Sequence, residues 1–330
     1  MRASSQIRLN RAFGGTTMRH MHRTWLAILG IWLAISSGGS AWAAQQTPPQ
    51  TVAVSAIVTV RAKHGKDVPD ISHKEDVRAF EGQQRLRVTD WIPLRGSQAN
   101  LELLILIDES TGQSVANKFD ELRHFMSAQP PTTAIAVGYL ENGTVRLAQN
   151  FTTDHDATGK ALRIPQGAGG AGSSPYLAIA DALKHWRGSS SRHAIFLISD
   201  GIDPLQLGIT DTYLDQAIEI AQQAATQITA IYAARASIAS RNLRLVNQGQ
   251  NNLSRLAEAS GGEVYFQGRY TPISFAPSLD EFAERLAHQY LLTFQIQPQK
   301  KASFRHVKLE TEIPDAELSM ADRVYVPETQ

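Results

Sequence analysis

Leu101-Glu102-Leu103-Leu104-Ile105-Leu106-Ile107-Asp108-Glu109-Ser110-Thr111-Gly112 passes directly from a run that is apolar except for Glu102 to a run of small polar residues. Seven such residues without period-2 alternation suit a strand covered on both faces, the situation in parallel sheets. Going forward, Val115, Phe119, Leu122 and Phe125 recur at helical spacing, and Thr133–Leu140 and Thr144–Phe151, joined by Glu141-Asn142-Gly143, predict a hairpin. Tyr176–Trp186 reads as a helix entered through Ser174 and Pro175, and His193–Ser199 as the next buried strand. The alternation continues with a helix at Leu214, Ala217, Ile218 and Ala221, a strand at Ile228–Ala233, a helix at Leu253–Ala259 and a short strand at Glu263–Phe266. Leu279, Phe282, Ala283, Leu286 and Tyr290 predict the last helix. Strand and helix in turn over residues 99–292 predict an α/β domain, an open, mostly parallel, doubly wound sheet with helices on both faces.

Going backward, Val52, Val54, Ala56, Val58 and Val60 alternate with small or polar residues, and Val77–Glu81 and Leu86–Ile92 are further strand candidates separated by Gly82 and Gln83. Beyond Tyr290 the helical spacing stops, and Thr293–Gln297, Arg305–Thr311 and Arg323–Val326 read as strands. Neither flank, 44–98 or 293–330, is long enough to bury a core alone. The expectation is that they pair into one small β-sandwich, with the α/β unit inserted between them.

The N-terminus carries Arg19 and Arg23, then the apolar run Trp25–Ile35, then Ser36–Ser40 and Ala41-Trp42-Ala43. The apolar part is far short of the roughly 20 residues of a spanning helix, and small residues at Ala41 and Ala43 suit signal peptidase. Residues 1–43 therefore predict a signal peptide cleaved before Ala44, a periplasmic or secreted product, and no stable membrane insertion after cleavage. Met18 or Met21 are alternative start positions. Loss of residues 1–43 removes five arginines and no acid, leaving 27 basic against 31 acidic residues, a net charge of −4. With no dense Lys/Arg cluster, nothing electrostatic points to nucleic acid. The chain has no cysteine, which excludes a disulfide framework, thiolate metal sites and a cysteine nucleophile.

The chemistry-bearing residues stand at strand ends. Asp108 closes the first buried strand and Asp200 the strand His193–Ser199. Ligands of doubly wound sheets sit outside the carboxyl ends of the strands, so the two carboxylates are expected to be neighbours. With nearby hydroxyls they form an all-oxygen set that suits Mg²⁺ or Mn²⁺ rather than zinc. The plainer reading makes each aspartate a helix cap. Gly167, Gly169 and Gly172 satisfy G-x-G-x-x-G, but no strand runs directly into them and no acidic residue closes a βαβ unit, so a dinucleotide site is not expected. Serine-hydrolase and metalloprotease motifs are missing from the chain as well.

Asp108, Ser110 and Gly112 after an apolar strand, Gly172 and Ser173 before a helix, and Ser199-Asp200-Gly201 after a later strand resemble the metal-ion-dependent adhesion site (MIDAS) of von Willebrand factor A (vWA) domains. That pattern has D-x-S-x-S after the first strand, a loop threonine and a later aspartate. Lys63-His64-Gly65-Lys66 with Val68 and Pro69, and the tail through Tyr325 and Pro327, further resemble secreted bacterial proteins carrying this domain between short β segments. The resemblance implies a Rossmann-like fold and Mg²⁺-assisted binding of an acidic side chain of a partner protein. By position it implies metal ligands at Asp108, Ser110, the loop hydroxyl Ser173 or Ser174, and Asp200. Gly112 departs from the pattern, having no side chain to coordinate, so Gly112→Ser is expected to restore a hydroxyl. The functional expectation is a binding protein and not an enzyme. The alternatives are a metal-free structural module, or a Mg²⁺-dependent phosphoryl-transfer or hydrolytic enzyme using Asp108, against which Ser110 stands where D-x-D phosphatases need a second aspartate.

Overall fold

The computed structural model describes residues 51–65, 67–167, 174–186, 191–208, 211–235 and 241–328. The predicted signal peptide and its cleavage site, Ser173, Gly169 and Gly172 lie outside them.

The apolar run that opened the sequence is strand β4 (Leu101–Asp108), and it sits at the centre of a six-stranded sheet. It pairs in parallel with β5 (Thr133–Glu141) on one side and β7 (Arg192–Ser199) on the other. Beyond β7 come β8 (Gln227–Tyr232) and the short β9 (Val264–Tyr265), both parallel, and beyond β5 comes β6 (Thr144–Thr152), antiparallel. The order β6-β5-β4-β7-β8-β9 places the topological switch between β4 and β7, where the chain winds to opposite sides.

The pleat sends alternate β4 side chains to two separate cores. Leu104 and Leu106 meet helices α4 (Pro175–His185), α5 (Thr212–Gln223) and α6 (Leu243–Ser260). Leu103, Ile105 and Ile107 meet α2 (Phe119–Ser127) and α7 (Ala276–Ala287) on the other face. The predicted helix from Val115 is interrupted: α1 is the single turn Gln113–Ala116, and α2 begins after Asn117 and Lys118. A further short helix, α3 (His155–Lys160), follows the β5–β6 hairpin. The helix expected at Leu253–Ala259 is only the second half of α6, whose first half is polar enough to have escaped the apolar periodicity.

The flanking segments do join. β1 (Val52–Ala62), β2 (Val77–Glu81) and β3 (Gln84–Pro93) share an antiparallel sheet with β10 (Gln289–Ile296), β12 (Lys308–Thr311) and β13 (Ala316–Ser319), in the order β12-β2-β3-β10-β1-β13. The pair β11 (Ser303–His306) and β14 (Arg323–Val326) lies over it, adding Val324 and Val326 to a core built on Val58, Ala79, Leu292 and Phe294. Three boundaries differ from the sequence reading. Tyr290 belongs to β10 and not to the last helix, so the return to the sandwich comes at Gln289 rather than after 292; its ring continues the helical spacing of α7 by coincidence and stacks on Trp91 at 4.4 Å. Arg305–Thr311 is two strands in two sheets, divided at Val307. β13, too polar to show a pattern, completes the sheet beside β1.

Candidate functional site at the carboxyl edge of the parallel sheet

Asp108 and Ser199 end neighbouring parallel strands, so geometry alone brings Asp108 and Asp200 to one place. Asp108 accepts from the Ser110 backbone N–H at 2.9 Å through Oδ1 and from the Ser199 hydroxyl at 2.7 Å through Oδ2. Ser199 in turn accepts from Gly201 N–H at 3.0 Å. The capping interpretation of Asp108 is therefore correct as far as it goes: it caps the 3-10 turn Glu109–Thr111. Thr111 closes that turn by donating to the Asp108 carbonyl at 2.7 Å. The Ser110 hydroxyl is different. It is buried and has no hydrogen-bond partner among the described residues, a condition that ordinarily costs about 1–3 kcal/mol.

Asp200 is fully buried. Its Oδ1 accepts from Ile202 N–H at 3.0 Å, and its Oδ2 meets both Nε and the terminal nitrogen of Arg235 at 2.9 Å. Burial, then the charge of Asp108, push its pKa up from the ordinary 3.8 to about 7, against the opposing pull of Arg235. Sequence reasoning missed Arg235. It lies three residues past the end of β8, in a stretch with no periodicity, and only the adjacency of β7 and β8 in the sheet reveals what it faces. The turn is held in place by contact with α6: a Cβ on Gly201, whose φ is +68°, would lie 2.3 Å from the Gly249 carbonyl, and Tyr176 donates to the Gly201 carbonyl at 2.6 Å.

Ser174 does not belong to this set. Its hydroxyl donates to Asp203 at 2.6 Å and accepts from Leu177 N–H at 3.3 Å, so it is the N-cap of α4, with Pro175 at the first helical position. Asp203 is occupied likewise, accepting from Leu205 N–H at 2.9 Å as well. Glu109, buried beside Asp108, is ion-paired to Arg163 and accepts from Gln166 N–H at 2.7 Å, which ties the 161–167 segment to the end of β4. Gly112 has φ +67° and ψ −156°, a backbone region closed to residues with a Cβ. A serine there is strained whatever it could coordinate, a cost that the expectation for Gly112→Ser did not include.

A hard divalent cation is suited by part of this set. The Asp108 carboxylate retains lone pairs and the Ser110 hydroxyl lacks a partner among the described residues, as a ligand pair would. Asp200 already has a cation in Arg235, Ser174 is committed elsewhere, and Gly112 offers no oxygen. Among the described residues no group of three or more His, Asp or Glu is placed to hold a metal ion. His155 on the Thr133 carbonyl and His193 stacked on Trp186 stand at the opposite edge of the sheet, and His185 and His288 bond to the Asp181 and Glu284 carbonyls of their own helices.

No family model matches the chain, and no curated protein matches it. Solved structures with which it shares similarity include an aerotolerance-related membrane protein from Bacteroides fragilis, at 13% identity over 56% of this chain and 98% of that one, with a TM-score of 0.39. A von Willebrand factor type A protein from Catenulispora acidiphila matches at 12% identity over 86% and 76% of the two chains, TM-score 0.39. The ArnB paralog VWA2 from Sulfolobus acidocaldarius matches at 11% identity over 84% and 76%, TM-score 0.38.

Proposed function

We propose that this chain is an exported, vWA-type protein-interaction module whose contact face is the carboxyl edge of the parallel sheet around Asp108, Ser110 and Asp200. One observation carries the reading: buried acidic groups are concentrated at that edge, held by Ser199, Arg235 and Arg163. Evolving a stable sheet requires none of them there, since each costs desolvation that an apolar residue would not. Catalysis is the weaker reading, because Ser199 is bonded to a carboxylate with no histidine or lysine among their described partners to move a proton. Export is proposed from residues 1–43 and is tested by N-terminal sequencing of the recovered product, which should begin at Ala44. Among the described residues no helix is long and apolar enough to cross a membrane.

A second reading is favoured by the Ser110 hydroxyl, unpartnered among the described residues: Mg²⁺ or Mn²⁺ held by Asp108 and Ser110, with the remaining positions filled by water and by a partner's carboxylate. At a free metal concentration about a hundredfold above the dissociation constant, binding would add roughly 2.7 kcal/mol to stability. Thermal melts with and without either ion separate the two readings, since a rise that disappears in Ser110→Ala assigns the metal.

The interaction reading itself is tested with full-chain baits: wild type, Asp108→Asn, and a control, Ile92→Asp, on the sandwich. A protein retained by wild type and control but lost by Asp108→Asn, with unchanged melting of that variant, supports the contact face. Equal retention by all three places the contact elsewhere and overturns it.

A further inference from the structure

A cleft of about 770 Å³ lies between α5, the second half of α6 and the sandwich, where Met320, Asp322 and Arg323 close it. Its volume is that of a small-molecule site, and both lobes supply its walls. Four carboxylates line it: Asp215 and Glu219 of α5, Glu258 of α6 and Asp322 of the sandwich. The positive groups in the same walls are engaged. Arg255 divides its guanidinium between Asp215 at 2.7 Å and Asp211 at 2.8 Å. Arg323 lies over the Phe304 ring at 5.2 Å. His306 reaches Asp322 at 3.2 Å, an ion pair only when the imidazole is protonated. Glu219 and Glu258 have no cation among the described residues.

Beside the cleft, with Arg323 common to both walls, a recess of about 60 Å³ lies between the end of α5 and β1. Gln222, only 4% exposed, lines it. Its Nε2 donates to the Ala259 carbonyl at 2.8 Å; only the NH₂ end of an amide can do so, which makes the other end the acceptor oxygen. That Oε1 is buried and has no partner among the described residues, a costly state unless a donor reaches it. The unsatisfied groups of cleft and recess are thus all acceptors, two carboxylates and one amide oxygen. They call for a ligand that only donates.

We propose that this cleft binds a linear aliphatic polyamine, with one ammonium group donating to Gln222 Oε1 in the recess and others pairing with Glu219 and Glu258. An ammonium carries three donors and no acceptor, which matches the unsatisfied set. The recess has room for roughly one or two groups the size of a water molecule, which suits an ammonium head better than a planar guanidinium. Among the described residues no group of three or more His, Asp or Glu is placed to hold a metal ion, so the cation is organic. The proposal goes beyond the interaction role and does not depend on Asp108.

The test is calorimetric titration of spermidine into the full chain in about 0.15 M NaCl, where exposed charges more than roughly 8 Å apart are screened. Wild type should bind at one site and melt at a higher temperature with spermidine than without. Glu219→Gln/Glu258→Gln changes two exposed side chains and should weaken binding at least about tenfold, the loss expected of charge-assisted bonds. Glu281→Gln/Glu284→Gln on α7, outside the cleft, should bind as wild type does. Gln222→Met removes the buried acceptor, leaves the Ala259 carbonyl its bond from Asp322 N–H at 3.1 Å, and should weaken binding several-fold with its melting temperature as the check on folding. If that variant fails to fold, the two glutamate pairs decide. No binding, equal weakening in the α7 control, or binding indifferent to either folded cleft variant overturns the proposal. So does binding of hexalysine in place of spermidine, which would assign the cleft to lysines of a partner protein, and so does an equal response to Mg²⁺. Asp108→Asn should bind spermidine as wild type does, so a failure here is separate from a failure of the contact face.

Discussion

The two edges of the parallel sheet are built from the same strands and are treated in opposite ways. At the amino edge polar groups are spent on joining the lobes. Arg192, at the start of β7, donates to the Leu286 carbonyl at 2.9 Å and to Gln289; Gln289 donates to Gln227, and Gln227 to the Ile57 carbonyl at 3.3 Å. Glu263, just before β9, receives both Arg61 of the sandwich at 2.8 Å and the buried Arg285 at 3.3 Å. Gly261, at φ +83°, lets the Met320–Ala321 backbone approach so closely that a Cβ would lie 2.6 Å from it. At the carboxyl edge the described polar groups bond within the edge itself. Asp200 and Glu109 are paired there with arginines, the Ser110 hydroxyl has no partner among the described residues, and apolar side chains face solvent. A polar group at the covered edge serves architecture, while one at the open edge is free to serve binding.

The largest test of that contrast concerns pH. Asp200 keeps its proton to about pH 7 in the folded chain and releases it near 3.8 when unfolded. Between those values the folded state binds more protons, so the stability associated with this group is complete below about pH 4 and is lost as pH rises through 7. At about 1.4 kcal/mol per pH unit the loss amounts to about 4 kcal/mol. Urea unfolding of Asp200→Asn should lack this loss, and the variant should gain on wild type between about pH 4 and about pH 8. A constant difference across that range would mean that Arg235 holds Asp200 ionised throughout.

At the covered edge, Arg192→Leu strands the Leu286 carbonyl and the Gln289 side chain in a buried setting. It should cost roughly 2–4 kcal/mol in urea unfolding, from two unsatisfied acceptors. The binding of any carboxyl-edge partner should be unaffected in the folded variant. Impaired binding would show that the two edges are coupled.

Gly112→Ser should cost about 2 kcal/mol through its backbone alone. Its melting temperature should show no greater response to Mg²⁺ or Mn²⁺ than that of wild type, and a greater one would restore the ligand reading of position 112.

The smallest effect belongs to Ser110→Ala. Removing a buried hydroxyl that has no partner among the described residues should stabilise the fold by about 1 kcal/mol, the recovered desolvation cost less the packing lost with the oxygen. Loss of stability in metal-free buffer would mean that the hydroxyl has a partner after all.

The sequence by itself determined the winding. Unbroken apolar runs such as Leu103–Ile107 make sense only in a sheet covered on both faces, and their alternation with helical periodicity allows little but a doubly wound topology. Strand-terminal Asp108 and Asp200 followed from that topology, because parallel strands deliver their last residues to one edge. The joining of the flanks was legible too, since neither could bury a core alone. Tertiary structure decided what periodicity cannot encode. Arg235 sits in aperiodic sequence, and its neighbours depend on which strands adjoin. Ser174 carries the same hydroxyl whether it caps a helix or binds an ion, and only the position of Asp203 tells which. Gly112 looked like a missing ligand in one dimension, whereas its φ of +67° shows a backbone requirement, because chain direction at a strand exit is set by where the next helix must pack.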